Sequence, residues 1–185
     1  MMTNSPENQT KDFQVSVAMT VTLISFGMLF GTMFLGYTLV RSNSQTWPPT
    51  EIENLPMFLP FLSTLVIGLS SWTYNLFEKK AGAKLYWFLT LALGFAFLVL
   101  QFLLWSKLQE LGILAMHGQV PSMVYAFTWV HAGHIVLALS LVLWLGYFIF
   151  KKPEGLTRMK LLNVGKFWHF LSVIWLLMYL MLFVL

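Results

Sequence analysis

Five stretches of this chain, at about residues 13–40, 57–77, 85–105, 123–150 and 167–185, contain no Asp, Glu, Lys or Arg. The hydrocarbon core of a bilayer is about 30 Å thick, so a spanning helix needs about 20 mainly apolar residues. Each stretch meets that length or comes within a residue of it. Hydrophobic residues make up 58% of the chain and charged residues 10%, where a soluble domain has about 45–50% and about 25%. The expected fold is therefore all-α: a polytopic transmembrane bundle of about five spanning helices, one membrane domain over residues 13–185 behind a polar tail at 1–12. The tail is read as frayed and cytoplasmic. The first stretch is too long for a signal-peptide core and lacks a basic flank and a small-residue cleavage site, so it is expected to be retained.

Charge placement sets the orientation. If the N-terminus and the second and fourth loops share a side, that side holds Lys11, Lys79, Lys80, Lys84, Lys151, Lys152, Arg158, Lys160 and Lys166, and the other holds Arg41 and Lys107. Such asymmetry places the N-terminus in the cytoplasm and the C-terminus outside. The net charge of +4 is thus a matter of topology and lipid contact, and no nucleic-acid partner is expected. The chain has no cysteine, which removes disulfides and thiolate chemistry. Prolines sit in loops or first turns, as Pro56 and Pro60 do, and unbroken spans disfavour transporters built on discontinuous helices. Trp72, Trp87, Trp105, Trp129, Trp144 and Trp168 lie near span ends, where interfacial anchors belong.

All seven acidic residues and every Lys and Arg fall outside the five stretches. Intramembrane charges mark ion pathways and proton relays, so the chain is not expected to move charge alone. Three histidines remain as candidate ligands. His131 and His134 lie three apart on one helix and cannot ligate opposite faces of one iron; His169 sits toward the cytoplasmic end, about 10–15 Å from His134 along the membrane normal. Inter-helix, backbone or lipid-headgroup hydrogen bonds are the preferred reading over haem. Zinc lacks convergent ligands. Gly27 and Gly31 form a small-xxx-small pair that lets a helix approach closely. Gln101, deep in the third span, needs a hydrogen-bonding partner.

Several segments, in order, resemble the subunit III proteins of haem-copper terminal oxidases in their five-helix bacterial form. Trp47-Pro48-Pro49, Leu59-Pro60 and Ser70-Ser71 are similar to that family's loop and following helix. Gly94, Gln101, Trp105, Leu108 and Gly112-Ile113 are similar to its next helix. Phe127-Thr128 with His131-Ala132-Gly133-His134 resembles its Thr-Gly-x-His-Gly-x-His run, and Phe167-Trp168-His169-Phe170 with Trp175 resembles its last helix. Three positions at which the family usually carries an acid read Phe26, Leu104 and Ser172, which removes the basis for a proton-supplying role.

The resemblance implies a non-catalytic accessory subunit of a respiratory cytochrome c or quinol oxidase in the bacterial inner membrane. It would pack against the large catalytic subunit I and the other oxidase subunits, stabilise the active site and hold phospholipid in a cleft. No catalytic, metal or cofactor-binding residue is expected in this chain, haem and copper belonging to the partner. Trp105, His131, His134, Trp168 and His169 are the expected lipid or inter-helix contacts, and Gly27 and Gly31 the packing positions. The alternatives are an accessory subunit of a nitric oxide reductase and a haem-binding electron-transfer protein.

Overall fold

Lipid offers backbone groups no hydrogen bonds, so a spanning chain must satisfy them internally. The computed structural model does so with five long helices and describes residues 6–43, 56–80, 83–152 and 155–184. They are α1 Pro6–Asn43, α2 Phe58–Lys79, α3 Lys84–Glu110, α4 Gln119–Lys151 and α5 Arg158–Tyr179, the last continued by a looser turn at Leu180–Val184. The motif at Trp47-Pro48-Pro49 lies outside the described residues, as do Gly82, Pro153 and the acids Glu51, Glu53 and Glu154.

Two boundaries differ from the sequence expectation. The supposed frayed tail is already helical at Pro6, where proline's fixed φ suits a first helical position and its missing N–H costs nothing. Helix α5 starts nine residues before the uncharged stretch it was read from. Thr157 caps it, its Oγ1 accepting the Lys160 N–H at 3.4 Å, and the first turns bury Leu161, Val164 and Gly165 while Arg158 and Lys166 stay exposed.

Four helical segments, Phe13–Asn43, Lys84–Glu110, Gln119–Lys151 and Arg158–Val184, are long and apolar enough to cross a membrane. Helix α2 has the length, 22 residues or about 33 Å, but is diluted by hydroxyls. These are satisfied without water. Ser63 and Thr64 donate to the carbonyls of Leu59 and Pro60 at 2.9 and 2.8 Å. Ser70 donates to the Thr90 carbonyl at 3.1 Å, and Thr73 and Thr90 share a hydroxyl contact at 3.0 Å. These last bonds tie α2 along α3 as an antiparallel hairpin.

Helix α2 packs on α3 and α5, α3 also on α4, and α1 on α4 and α5. The close approaches occur where one glycine faces one aromatic ring. A Cβ on Gly94 would lie 2.7 Å from Leu139 Cδ2 and 2.9 Å from Trp168 Cη2, and one on Gly146 would collide with Trp87. Trp87 completes its seat by donating Nε1–H to the Val142 carbonyl at 2.8 Å. Trp87 and Trp168 are therefore core residues and not interfacial anchors, with 7% and 0% exposure, whereas Trp72 and Trp129 are about three-fifths exposed. Helix α1 stands apart: 6% of its most apolar window is buried, against 39–44% in α3, α4 and α5.

Candidate functional site

Helices α1, α3 and α5 meet α4 at His131. Helix α4 turns one face inward, with Val124, Thr128, His131, Ile135, Ala138 and Val142 all buried at helical spacing. Around the His131 ring lie Phe30 of α1 at 6.2 Å, Phe97 of α3 at 5.7 Å and Trp175 of α5 at 5.4 Å between centroids. Helix α2 joins through Thr64, whose Oγ1 accepts the Trp175 Nε1–H at 3.0 Å. Packed rings on three sides leave no room beside the imidazole for a macrocycle.

Gln101 belongs to the same place. On α3 it sits four residues from Phe97, which touches His131, and four from Trp105, whose Nε1–H donates to Thr128 Oγ1 at 3.0 Å. It therefore lies between the Phe97–His131 and Trp105–Thr128 contacts, on the side of α3 that faces α4. Both side chains are fully buried, and neither Gln101 Oε1 and Nε2 nor His131 Nδ1 and Nε2 has a hydrogen-bond partner among the described residues.

The other two histidines stand at separate stations. His134 is half-buried, donates Nδ1–H to the Val130 carbonyl at 2.7 Å and meets Phe26 and Phe30 at 4.4 and 5.6 Å. His169 shares a 2.6 Å hydrogen bond with Ser71 of α2 and lies 5.8 Å from the Tyr74 ring. Trp175, the α5 residue at His131, is six residues beyond His169, a rise of about 9 Å. The structure thus does not bring the three imidazoles together. Among the described residues no three His, Cys, Asp or Glu side chains are grouped to hold a metal ion.

Trp105 stacks parallel on Trp129, centroids 4.3 Å apart, where the C-terminal half of α3 meets the N-terminal half of α4. Trp168 is fully enclosed and so touches only helices. A Cβ on Gly27 would lie 4.0 Å from Phe170 Cε2, while one on Gly31 would meet no side chain or other helix within 4 Å. Sequence reasoning missed the bond from Trp175 to Thr64 and the glycine–aromatic seats. The signal that could have found the seats is a lone glycine level with a tryptophan on a neighbouring helix, which requires the inter-helix register first.

Two grooves open on the bilayer. One, about 510 Å³, runs between the N-terminal half of α1 and the helices α4 and α5, is lined by Met19, Phe26, Leu137, Leu141 and Phe167 among others, and is almost wholly apolar. The other, about 400 Å³, lies between α2 and α5 and carries Thr64, Gly68, Ser71, His169 and Ser172.

Fold and site together define a multi-pass helical membrane protein in which Ser70, Trp105 and Trp175 hydrogen-bond one helix to another. No protein-family model matches the chain. It is 30% identical over 161 positions to the cytochrome bo(3) ubiquinol oxidase subunit 3 of Buchnera aphidicola subsp. Schizaphis graminum, covering 83% of this chain and 84% of that protein. It is 28% identical to the cytochrome c oxidase subunit 3 of Thermostichus vulcanus, over 94% of this chain and 88% of that one. It is 25% identical to a probable quinol oxidase subunit 3 of Staphylococcus haemolyticus, over 96% and 92%. The chain belongs to the subunit 3 family of cytochrome c and quinol oxidases.

Proposed function

We propose that this chain is a non-catalytic accessory subunit of a respiratory haem-copper oxidase in the bacterial inner membrane, where it packs against the large catalytic subunit I. The observation that carries this reading is the similarity to subunit 3 of both cytochrome c and quinol oxidases, running over most of each chain. The interior supports it, because bonds such as Trp105 to Thr128, Trp175 to Thr64 and Ser71 with His169 join helix to helix, and all seven acidic residues lie outside the uncharged stretches. Oxygen reduction would belong to haem and copper in the partner. Nothing in the bundle favours the nitric oxide reductase or haem-binding alternatives.

Trp105, His131, His134, Trp168 and His169 serve this role as contacts. His131 and Trp168 are enclosed and act between helices; Trp105, His134 and His169 also reach the surface. Gly27 packs within the chain, and Gly31, with open space around it, is left for a partner helix. The apolar groove beside α1 suits a phospholipid acyl chain, with exposed Lys166 next to Phe167 at its basic rim for the headgroup phosphate.

The test is to tag the C-terminus, extract the complex from native membranes in mild detergent and identify co-purifying chains by mass spectrometry. A large haem-copper subunit in near-equal amount is expected. Recovery of the chain alone, or with unrelated membrane proteins, would overturn the reading.

A further inference from the structure

We propose that Gln101 and His131 form an internal hydration site, in which one or two ordered waters link α3 to α4 at the centre of the bundle. Both residues are 0% exposed, and their four polar side-chain atoms have no partner among the described residues. Leaving such groups unmet in an apolar interior is strongly unfavourable. Buried water commonly meets them, and needs two to four polar neighbours to do so.

Direct pairing of the two side chains is not enough. A neutral imidazole offers one donor and one acceptor, and a carboxamide offers two donors and an acceptor. One bond between them leaves a ring nitrogen and one end of the amide unmet. The hydroxyls of Thr128 and Thr64 have their single proton committed, to the Val124 carbonyl at 2.8 Å and to the Pro60 carbonyl, so neither donates to Gln101 Oε1 or to the bare nitrogen of His131. A water supplies both the donor and the acceptor that the two side chains lack. The walls are aromatic, Phe97 and Trp175 with ring centroids 4.9 Å apart, so the waters are confined and report on themselves through those rings.

Hydroxyl-radical footprinting of the detergent-extracted protein, with whatever subunits accompany it, tests this. Short X-ray pulses turn bound water into radicals that oxidise the nearest side chains. Phe97 and Trp175 are fully buried, yet they should be oxidised at a rate typical of water-contacting residues. Phe77, equally buried, serves as the dry control. The double variant Gln101→Leu/His131→Leu should lose the labelling, down to the level of Phe77. The site is refuted if Phe97 and Trp175 in the unmodified protein are as unreactive as Phe77, a result that needs no variant to fold. Labelling that persists in an assembled double variant also refutes it. Neither readout depends on which complex the chain joins.

Discussion

Two of the membrane-depth histidines face positions where the family's acids are absent. Phe26 lies edge-on against His134, and Ser172 lines the same groove as His169. Each imidazole falls back on a neutral neighbour, the Val130 carbonyl or the Ser71 hydroxyl. An acid restored at the first position should find His134 waiting. Phe26→Glu is expected to accumulate in membranes close to the unmodified level, while Phe26→Glu with His134→Leu falls several-fold, because an unpaired acid at the helix centre costs about 2.5–3.5 kcal/mol on insertion scales. Quantitative blotting of tagged chain decides, and equal levels would show that His134 is not the partner. The bond from Trp175 to Thr64 is separable in the same way. Trp175→Phe keeps the ring beside His131 but removes the N–H, and should cost about 0.6–1.7 kcal/mol. Thr64→Val should cost a similar amount and the double variant little more than either, read by unfolding in mixed detergent. The histidines were legible in the sequence as polar atoms in apolar runs. Thr64 was not, since a hydroxyl on a spanning helix ordinarily bonds its own backbone, and Thr64 does that as well.

Glycine shows where reading an element alone stops. Spacing within α1 singles out Gly27 and Gly31, because a small-xxx-small pair is visible in one helix. The tightest seats are at Gly94, Gly146 and Gly165, each against an aromatic ring of another helix. Which glycine meets which ring depends on how two helices are slid and turned against each other, and a single sequence does not carry that. Gly94→Ala forces a methyl against Leu139 and Trp168 and should destabilise by about 1–3 kcal/mol as overpacking does. Gly31→Ala in the isolated chain should change stability by less than about 0.5 kcal/mol. Thermal aggregation midpoints of the two variants in detergent separate these outcomes, and a Gly31 effect confined to the assembled complex would mark its partner contact. Helix ends follow the same logic. Gly112, at φ +73°, closes α3 with Ile113 N–H bonded to the Leu108 carbonyl at 2.9 Å, a stop that its Gly-Ile pair foreshadows. The early start of α5 is hidden, because its first turns alternate charged and buried residues and a search for uncharged runs passes over them.

At the scale of the molecule, helix order and charge agree. Alternating spans bring the α2, α4 and α5 ends that carry Lys79, Lys80, Lys151, Lys152, Arg158 and Lys160 to one side, with Lys84 at the start of α3. Several of these lysines are also held by rings. Lys160 Nζ sits 3.9 Å from the Phe148 centroid and donates to the Gly155 carbonyl at 2.7 Å, and Lys84 Nζ lies 5.1 Å from Phe150. A cation fixed over an aromatic belt stays at the interface, so the basic face resists being drawn across the membrane. Orientation therefore rests on a side of the bundle and not on any one loop, and the absence of cysteine makes it directly measurable. Single substitutions Ser42→Cys, at the far end of α1, and Lys152→Cys, on the basic rim, add the only thiol in each variant. A membrane-impermeant maleimide should label Ser42→Cys in intact cells and Lys152→Cys only after the membrane is opened. The reverse pattern would invert the bundle and move the apolar groove beside α1 to the outer leaflet. Labelling of both in intact cells would mean that the helices between them do not cross the bilayer an odd number of times, which is incompatible with α2 serving as a span.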